Sequence, residues 1–383
     1  MSDFETPSRL LVIAKSGRML AQMAVNASIV PVVIDCFADL DTRQLAVATL
    51  KVNSLAWSDI QTSVAKLKSK YALTHLLYGS GFESHIESLT NLQQDWVVLG
   101  NSSAVFQRLQ DKPDFFRQLD SLGIPYPETV FSPPSKDKDW LRKPYLGQGG
   151  EGIGWFDVNT QNYARLPAAE TENKHEVVEA DHYWQRYVAG QPMSVTFIAA
   201  ADKMEVLGFN RQWTVEFEGQ PFSFGGIASG AELDITHKNR LLAWLQELIK
   251  VYGLRGLASL DFIMTEAGLQ VLEINPRIPA SAQLYGKNIL QRHLQACLDL
   301  APDNINTQLE PSGYQILFAA IDVQIPSGIS WPEWALDRPD CGANIGKGQP
   351  ICSIIASGKS PENVAEQLDL RRQFIENILN TGS

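Results

Sequence analysis

Cysteine is scarce in this 383-residue chain. The four present, Cys36, Cys297, Cys341 and Cys352, form no C-x-x-C pair and no metal-binding spacing. Cys341 and Cys352 could pair, but reduced core or surface thiols are the expectation. A run of about 18 apolar residues is missing as well, so nothing is expected to span a membrane. Basic residues are in deficit, 32 Lys and Arg against 43 Asp and Glu, for a net charge of −11. That balance argues against a general nucleic-acid binder, which carries a basic footprint. It leaves room for anionic ligands met by local lysines and arginines. The opening "MSDFETPSRLLVIAKSG" is acidic and its apolar run is short, so no secretory signal is expected and the cytoplasm is the default location. Two phosphate-binding signatures are also absent. No glycine loop ends in GKS or GKT, and "AKSGRML" after the first strand lacks G-x-G-x-x-G, although strand, turn, helix, strand and Asp35 mimic a dinucleotide fold there.

The rest reads as a folded protein, 44% apolar and 20% charged, too long for one ordinary core, so two or three domains are expected. "RLLVIA" (9–14), "SIVPVVIDCF", Thr74 to Tyr78 and "DWVVLGN" (95–101) are short apolar runs separated by helical spacing. Strand–helix–strand units of this kind predict a parallel sheet. From Ser102 the texture changes to two helical pieces, and then "WLRKPYLGQGGEGIGWF" (140–156) reads as strand, glycine loop, strand. Antiparallel strands are expected over 183–200 and 204–217 and a helix over 236–253, with Thr236 as N-cap and Gly253 as its stop. "ASLDFIMTEAGLQVLEINPR" predicts a hairpin turning at Glu266–Gly268. A helix over 288–300, a polar spacer, a β-rich tail and a final helix near 361–380 complete the chain.

Chemistry-bearing residues cluster in two places. Gly147, Gly149, Gly150, Gly152 and Gly154 follow Lys143-Pro144. Glycines let backbone N–H groups approach an anion, and the lysine adds a point charge; a flexible hairpin is the plainer alternative. Asp261 on one strand of the hairpin, with Glu273 and Asn275 on the next, can converge on one point. Few protein oxygens plus phosphate oxygens are what Mg²⁺ prefers; the alternative is a solvated sheet face. Arg277 and Arg255 are placed to hold a phosphate or carboxylate, or else to form buried salt bridges. "YGSGFE" (78–83) lies at a strand end where α/β layers bind ligands, which makes Gly79, Ser80, Gly81 and Glu83 substrate candidates, with Ser281 a weaker one. Glu83 as a solvated turn residue is the alternative. Of six histidines, His75 and His85 flank that strand, and ordinary core or surface roles are expected for both.

The order "DKPDFFRQLDSLGIPYPET", "RKPYLGQGGEGIG", "QRYVAGQPMSV" and "GLASLDFIM…LQVLEINPR" resembles the ATP-grasp superfamily of carboxylate–amine ligases over nearly the whole chain. The resemblance implies an α/β and α+β architecture. It would comprise a Rossmann-like pre-ATP-grasp domain (1–101), a small lobe with the glycine loop (102–188), a large lobe with the metal site (189–303) and a small β-rich closing subdomain (304–383). It implies that Lys112 and Lys143 contact ATP phosphates, that the 147–154 loop is their lid, and that Gln185, Arg186, Tyr187 and Val188 form the hinge at the adenine. Asp261, Glu273 and Asn275 would ligate Mg²⁺, two ions by family pattern, with Mn²⁺ as a substitute. Where relatives carry an acidic ribose ligand this chain has Pro192, so Glu179 or Asp181 is the expected replacement; Arg211 is the expected γ-phosphate cation. A small-molecule acid and amine are the implied partners, a homodimer is compatible, and neither nucleic acid nor membrane is expected. "VVIDCFADLDTR", "YGSGFE" and the segment from "DRPDCGANIGKGQP" onward look most like ATP-grasp proteins of methanofuran- and tetrahydromethanopterin-linked C1 metabolism, similar to tyramine–glutamate ligases. A kinase on the same scaffold, a non-catalytic ATP sensor and a biotin-dependent carboxylase are the competing readings; the last needs a biotin carrier, and the chain has no biotinyl-lysine motif.

Overall fold

The computed structural model describes residues 7–134, 139–156, 181–200, 203–217, 219–300 and 310–380. The first layer alternates β1 (Arg9–Ile13), α1 (Arg18–Asn26), β2 (Val30–Asp35), α2 (Leu40–Leu45), β3 (Ala48–Lys51), α3 (Trp57–Tyr71), β4 (His75–Tyr78), α4 (Ile86–Asp95) and β5 (Val97–Leu99). The strands are wholly parallel in the order β3-β2-β1-β4-β5. Leu10 to Ile13 and Val32 to Ile34 are fully buried, which is why these strands read as continuous apolar runs rather than alternating ones.

Two helices, α5 (Ser103–Gln110) and α6 (Lys112–Ser121), lead into a small antiparallel sheet. Asp111 caps α6 by accepting from Asp114 N, and Pro113 occupies its first turn, where no N–H is needed. The sheet runs β6-β9-β7-β8, from β6 (Thr129–Val130), β7 (Trp140–Pro144), β8 (Gly154–Trp155) and β9 (His182–Arg186). Its glycine loop joins β7 to β8, as the strand–loop–strand reading expected.

The large sheet is antiparallel throughout. It begins with β10 (Gln191–Ala200), β11 (Lys203–Phe217) and β12 (Gln220–Ala231); after α7 (Ile235–Tyr252) come β13 (Gly256–Thr265), β14 (Gly268–Asn275) and α8 (Ile289–Cys297). Asp234, not Thr236, caps α7: its carboxylate accepts from both Thr236 N and His237 N, 3.0 Å each. A carboxylate two residues upstream satisfies two orphan donors at once, so the helix starts earlier than its apolar spacing suggests. Gly253, at φ +64°, ends the helix as expected.

The tail adds β15 (Ser312–Phe318), β16 (Val323–Gln324), β17 (Ala335–Leu336), β18 (Asn344–Ile345), β19 (Pro350–Ser357) and α9 (Pro361–Asn380). β15, β19 and β17 extend the large sheet, in the order β14-β13-β10-β11-β12-β15-β19-β17, while β16 and β18 pair separately. All four cysteines are free thiols. No helix among the described residues is long and apolar enough to cross a membrane.

One buried imidazole ties the first layer to the large sheet. His293 accepts from Leu257 N (2.8 Å) and its other ring nitrogen meets Leu99 O (3.2 Å). Burial lowers its pKa to about 4, so the ring is neutral, with one acceptor and one donor for the two backbone groups.

Candidate active site

The β13–β14 hairpin sets Asp261 directly opposite Glu273, and Ser259 opposite Asn275. Two carboxylates facing each other across a ladder repel, and the surroundings treat them differently. Burial and then the neighbouring Glu273 raise the Asp261 carboxyl to about 7, although Gln212 Nε2 (3.3 Å) and Asn275 Nδ2 (3.0 Å) donate to it. Burial pushes the Glu273 carboxyl up as well, but Lys112 and Lys143 outweigh it and hold that group below its ordinary value.

Both lysines reach this hairpin from the small lobe. Lys112, 6% exposed at the start of α6, places Nζ 3.4 Å from Glu273 Oε2. Lys143 on β7 donates to Gln185 Oε1 (3.0 Å), and Gln185 in turn donates to Thr129 Oγ1 (3.0 Å). Burial lowers the Lys143 ammonium to about 8 against the pull of Glu273. A lysine kept at lowered pKa beside half-buried carboxylates is a cation awaiting an anion.

Above them lies the glycine loop. Gly149, Gly150 and Gly152 have φ of +60°, +78° and +77°. Gly149 O accepts from Phe224 N (2.8 Å), and a Cβ on Gly150 would stand 1.8 Å from Phe222 O. The loop is therefore seated on β12 in a way that requires glycine. Gly147 packs over Pro144, and Glu151 at the tip pairs with Lys15 of the first layer, 3.3 Å. A cleft beneath is lined by Lys112, Glu273, Asn275, Gly147, Tyr145 and Glu83, among others.

The other expected site residues separate into two groups. Arg277 is brought to the hairpin end: its Nη2 lies 3.4 Å from Asn275 Oδ1 and its Nε donates to Glu83 (2.6 Å). Glu83 is accordingly held inside the protein, where it also accepts from Gly81 N (2.6 Å). Gly79 packs on Ala14 and Leu20, and Ser80 O accepts from Lys15 N. At the end of β9 and just beyond it, Arg186 pairs with Glu128 and stacks on Trp140, Tyr187 contacts the Trp155 and Phe222 rings, and Val188 lines a surface groove with Gly190 and the 265–267 turn.

Three residues are not brought there. Arg255 pairs with Asp299 beyond α8 (2.7 Å) and is half-exposed. Ser281 is buried, its hydroxyl 2.6 Å from Thr196 Oγ1 in a network with Asn210 and Tyr285. Arg211 points to Glu362 of α9 (3.7 Å). The cause is strand alternation: Arg211 and Gln212 face opposite ways, and it is Gln212 that reaches Asp261. Gln212 and Asn101 are the functional neighbours that motif reading overlooked; alternation along "NRQW" was the available signal for the first. Pro192 lies in the β10–β13 ladder opposite Ile263. Asp181 offers its carbonyl to Tyr145 N, and Glu179 falls outside the described residues. His75 begins β4, at the strand end away from "YGSGFE".

A parallel layer, a small sheet with a glycine loop and an antiparallel sheet carrying paired carboxylates together make an ATP-grasp fold. Residues 109–281 match the model of the ATP-grasp domain family. Biotin carboxylase of Campylobacter jejuni, solved as a β-γ-ATP complex, superposes with a TM-score of 0.70 at 12% identity, over 93% of this chain and 89% of that one. L-amino acid ligase of Bacillus licheniformis gives 0.67 at 12%, over 95% and 98%. N5-carboxyaminoimidazole synthetase of Staphylococcus aureus, complexed with ADP, gives 0.68 at 14%, over 97% and 99%. An uncharacterized protein of Methanocaldococcus jannaschii is 24% identical over 274 residues, and the match spans 68% of this chain and 63% of that relative's length.

Proposed function

We propose that this protein is an ATP-dependent carboxylate–amine ligase that forms an amide through an acyl phosphate, releasing ADP and phosphate. The observation carrying the proposal is the convergence of Lys112 and Lys143 on the Asp261–Glu273 pair beneath a seated glycine loop. The donor set fits Mg²⁺. Two opposed carboxylates and an amide are few ligands. Mg²⁺ takes few protein oxygens and completes its shell with water and phosphate. Asp261, Glu273 and Asn275 would hold it, two ions by family pattern, with Mn²⁺ able to replace them. Bound there, the metal supplies charge neutralisation on the transferred phosphoryl group.

The chain's own groups perform the rest. Lys112 and Lys143 hold phosphate oxygens and stabilise the charge spread over them in transfer. The substrate carboxylate attacks the γ-phosphorus, the β–γ bridging oxygen leaves with ADP, and Arg277 offers its guanidinium to the acyl phosphate. The amine then attacks the acyl carbon, phosphate leaves, and the amine loses its proton. The seated glycine loop excludes water that would otherwise hydrolyse the acyl phosphate.

For the substrates, we propose glutamate as the acid and a tyrosine- or tyramine-type amine, in the making of a C1-carrier cofactor. The support is the likeness of "VVIDCFADLDTR", "YGSGFE" and the "DRPDCGANIGKGQP" segment to that group. The test is ADP release from Mg-ATP with L-glutamate and related acids against a panel of amines including tyrosine and tyramine. Release requiring both partners, with an amide by mass, is the expected result. Release with one substrate and a stable phosphorylated product would replace the ligase with a kinase. Glu273→Ala should fold normally and lose at least about 100-fold in turnover; full turnover would remove the metal platform from the mechanism.

A further inference from the structure

We infer that Glu83 is a positioning residue for Arg277, and that the first layer, not the large lobe, fixes the catalytic end of β14. The two residues that follow β14, Pro276 and Arg277, are held from outside their own sheet. Tyr78 Oη donates to Pro276 O (3.3 Å) and to Asn101 O (2.8 Å), and Asn101 Nδ2 donates to Pro276 O (3.0 Å). Asn101 Oδ1 accepts from Arg255 N (2.7 Å), which clamps the start of β13 as well. Tyr78 is 2% and Asn101 2% exposed, so these contacts are shielded from water.

Glu83 completes the cradle. Its Oε1 accepts from Arg277 Nε at 2.6 Å and its Oε2 from Gly81 N at 2.6 Å. Its own backbone oxygen accepts from Gln110 Nε2 at 2.6 Å. The two side chains are 12% and 11% exposed, Arg277 and Glu83 respectively. By taking Nε, the carboxylate fixes the plane of the guanidinium and leaves the Nη side directed along the platform, where Nη2 meets Asn275 Oδ1. The two anchors on Glu83 decide its geometry: Gly81 has φ +110°, and a Cβ there would come within 2.7 Å of Leu55, so the turn that aims Glu83 is built on glycine. Held this way, with both carboxylate oxygens engaged, Glu83 acts on the substrate through Arg277.

The function of this pair rests on the ligase reading, but its geometry does not, so the test has two arms on the full chain. In the first, protein labelled with ¹⁵N-arginine is compared with Glu83→Gln and Glu83→Asp. The wild type should show slowly exchanging, downfield Nε–H signals for the buried Arg18–Asp337 and Arg277–Glu83 pairs, and the second is identified by its loss in Arg277→Lys. Glu83→Gln should move it upfield and speed its exchange; an unchanged signal overturns the inference. In the second, ADP release is measured with Mg-ATP, L-glutamate and tyramine. Glu83→Gln should lower kcat about 10- to 100-fold while KM for Mg-ATP stays within about threefold, because the lysines and not Arg277 hold the phosphates. Glu83→Asp, which keeps the charge but cannot span both anchors, should fall between. Equal kcat in wild type and Glu83→Gln overturns the inference; a rise in KM alone does so too. A wild type that turns over neither probe counts against the proposed substrates, and the arginine signal then decides the positioning role by itself.

Discussion

Gly150→Ala is the perturbation that most directly separates lid from scaffold. The new Cβ would stand 1.8 Å from Phe222 O, at a residue whose φ is +78°. Alanine in the left-handed region costs roughly 1–2 kcal/mol. Backing the loop away from Phe222 also breaks the Phe224 N–H bond to Gly149 O, worth about 1 kcal/mol. A combined loss of about 2–3 kcal/mol lowers the seated fraction of the loop roughly 30- to 150-fold. The loop is at the surface, so the melting temperature should change little. Limited proteolysis with and without Mg-ATP should show the 147–154 segment cut readily in the variant and protected in wild type. The ratio of ADP released to amide formed should rise above one, as the acyl phosphate meets water. Gly154→Ala is the control, because nothing lies within 4 Å of a Cβ there. A Gly150→Ala protein with wild-type protection and one ADP per amide would refute the argument that the loop's seat on β12 keeps water out.

Two further outcomes follow from the geometry. Lys143 loses its proton at about 8 in the free protein, its burial having lowered it from 10.5, so kcat/KM for Mg-ATP should fall as pH rises through about 8. Lys143→Arg should carry that descending limb to higher pH, and a limb unmoved by the substitution would assign it elsewhere. Ser281→Ala removes one of the partners of Thr196 Oγ1 in a buried network and leaves Asn210 as the other; it should cost about 1 kcal/mol of stability by denaturant unfolding and leave KM for every substrate unchanged. A selective KM effect would return Ser281 to the substrate site.

What the sequence disclosed and what it hid divide along one physical line. Local regularities were legible: the parallel layer from buried runs such as "RLLVIA", and the hairpin from its Glu266–Gly268 turn. The glycine loop between two strands was legible for the same reason. The direct facing of Asp261 and Glu273 was not, because the register of that turn runs only as far as Phe262–Val271 and a one-residue bulge at Leu272 then sets Glu273 opposite Asp261. Nor were partners far apart in the chain. Glu83 and Arg277 are 194 positions apart, and nothing in "YGSGFE" distinguishes a carboxylate that waits for an amine from one already held by an arginine. Arg211 shows a subtler failure. Choosing it for being the available cation ignored alternation, which turns it toward Glu362 and turns the uncharged Gln212 inward. Asp234 displaced Thr236 as a cap because helix starts are set by side-chain acceptors outside the apolar repeat.

The imidazole of His293 has a mechanical consequence. Together with Asn101 and Tyr78 it fastens the parallel layer to β13 and β14, so those two bodies must travel as one. The four-stranded sheet that carries Lys143, Gln185 and the glycine loop meets them through Tyr183 and Tyr145, which pack on the core of α6 and the large sheet, and through the seat of Gly149 and Gly150 on β12. On the proposed reading, Arg277 and the Asp261–Glu273 pair would keep one register while ATP enters and ADP departs, so that nucleotide exchange need not release a half-built product.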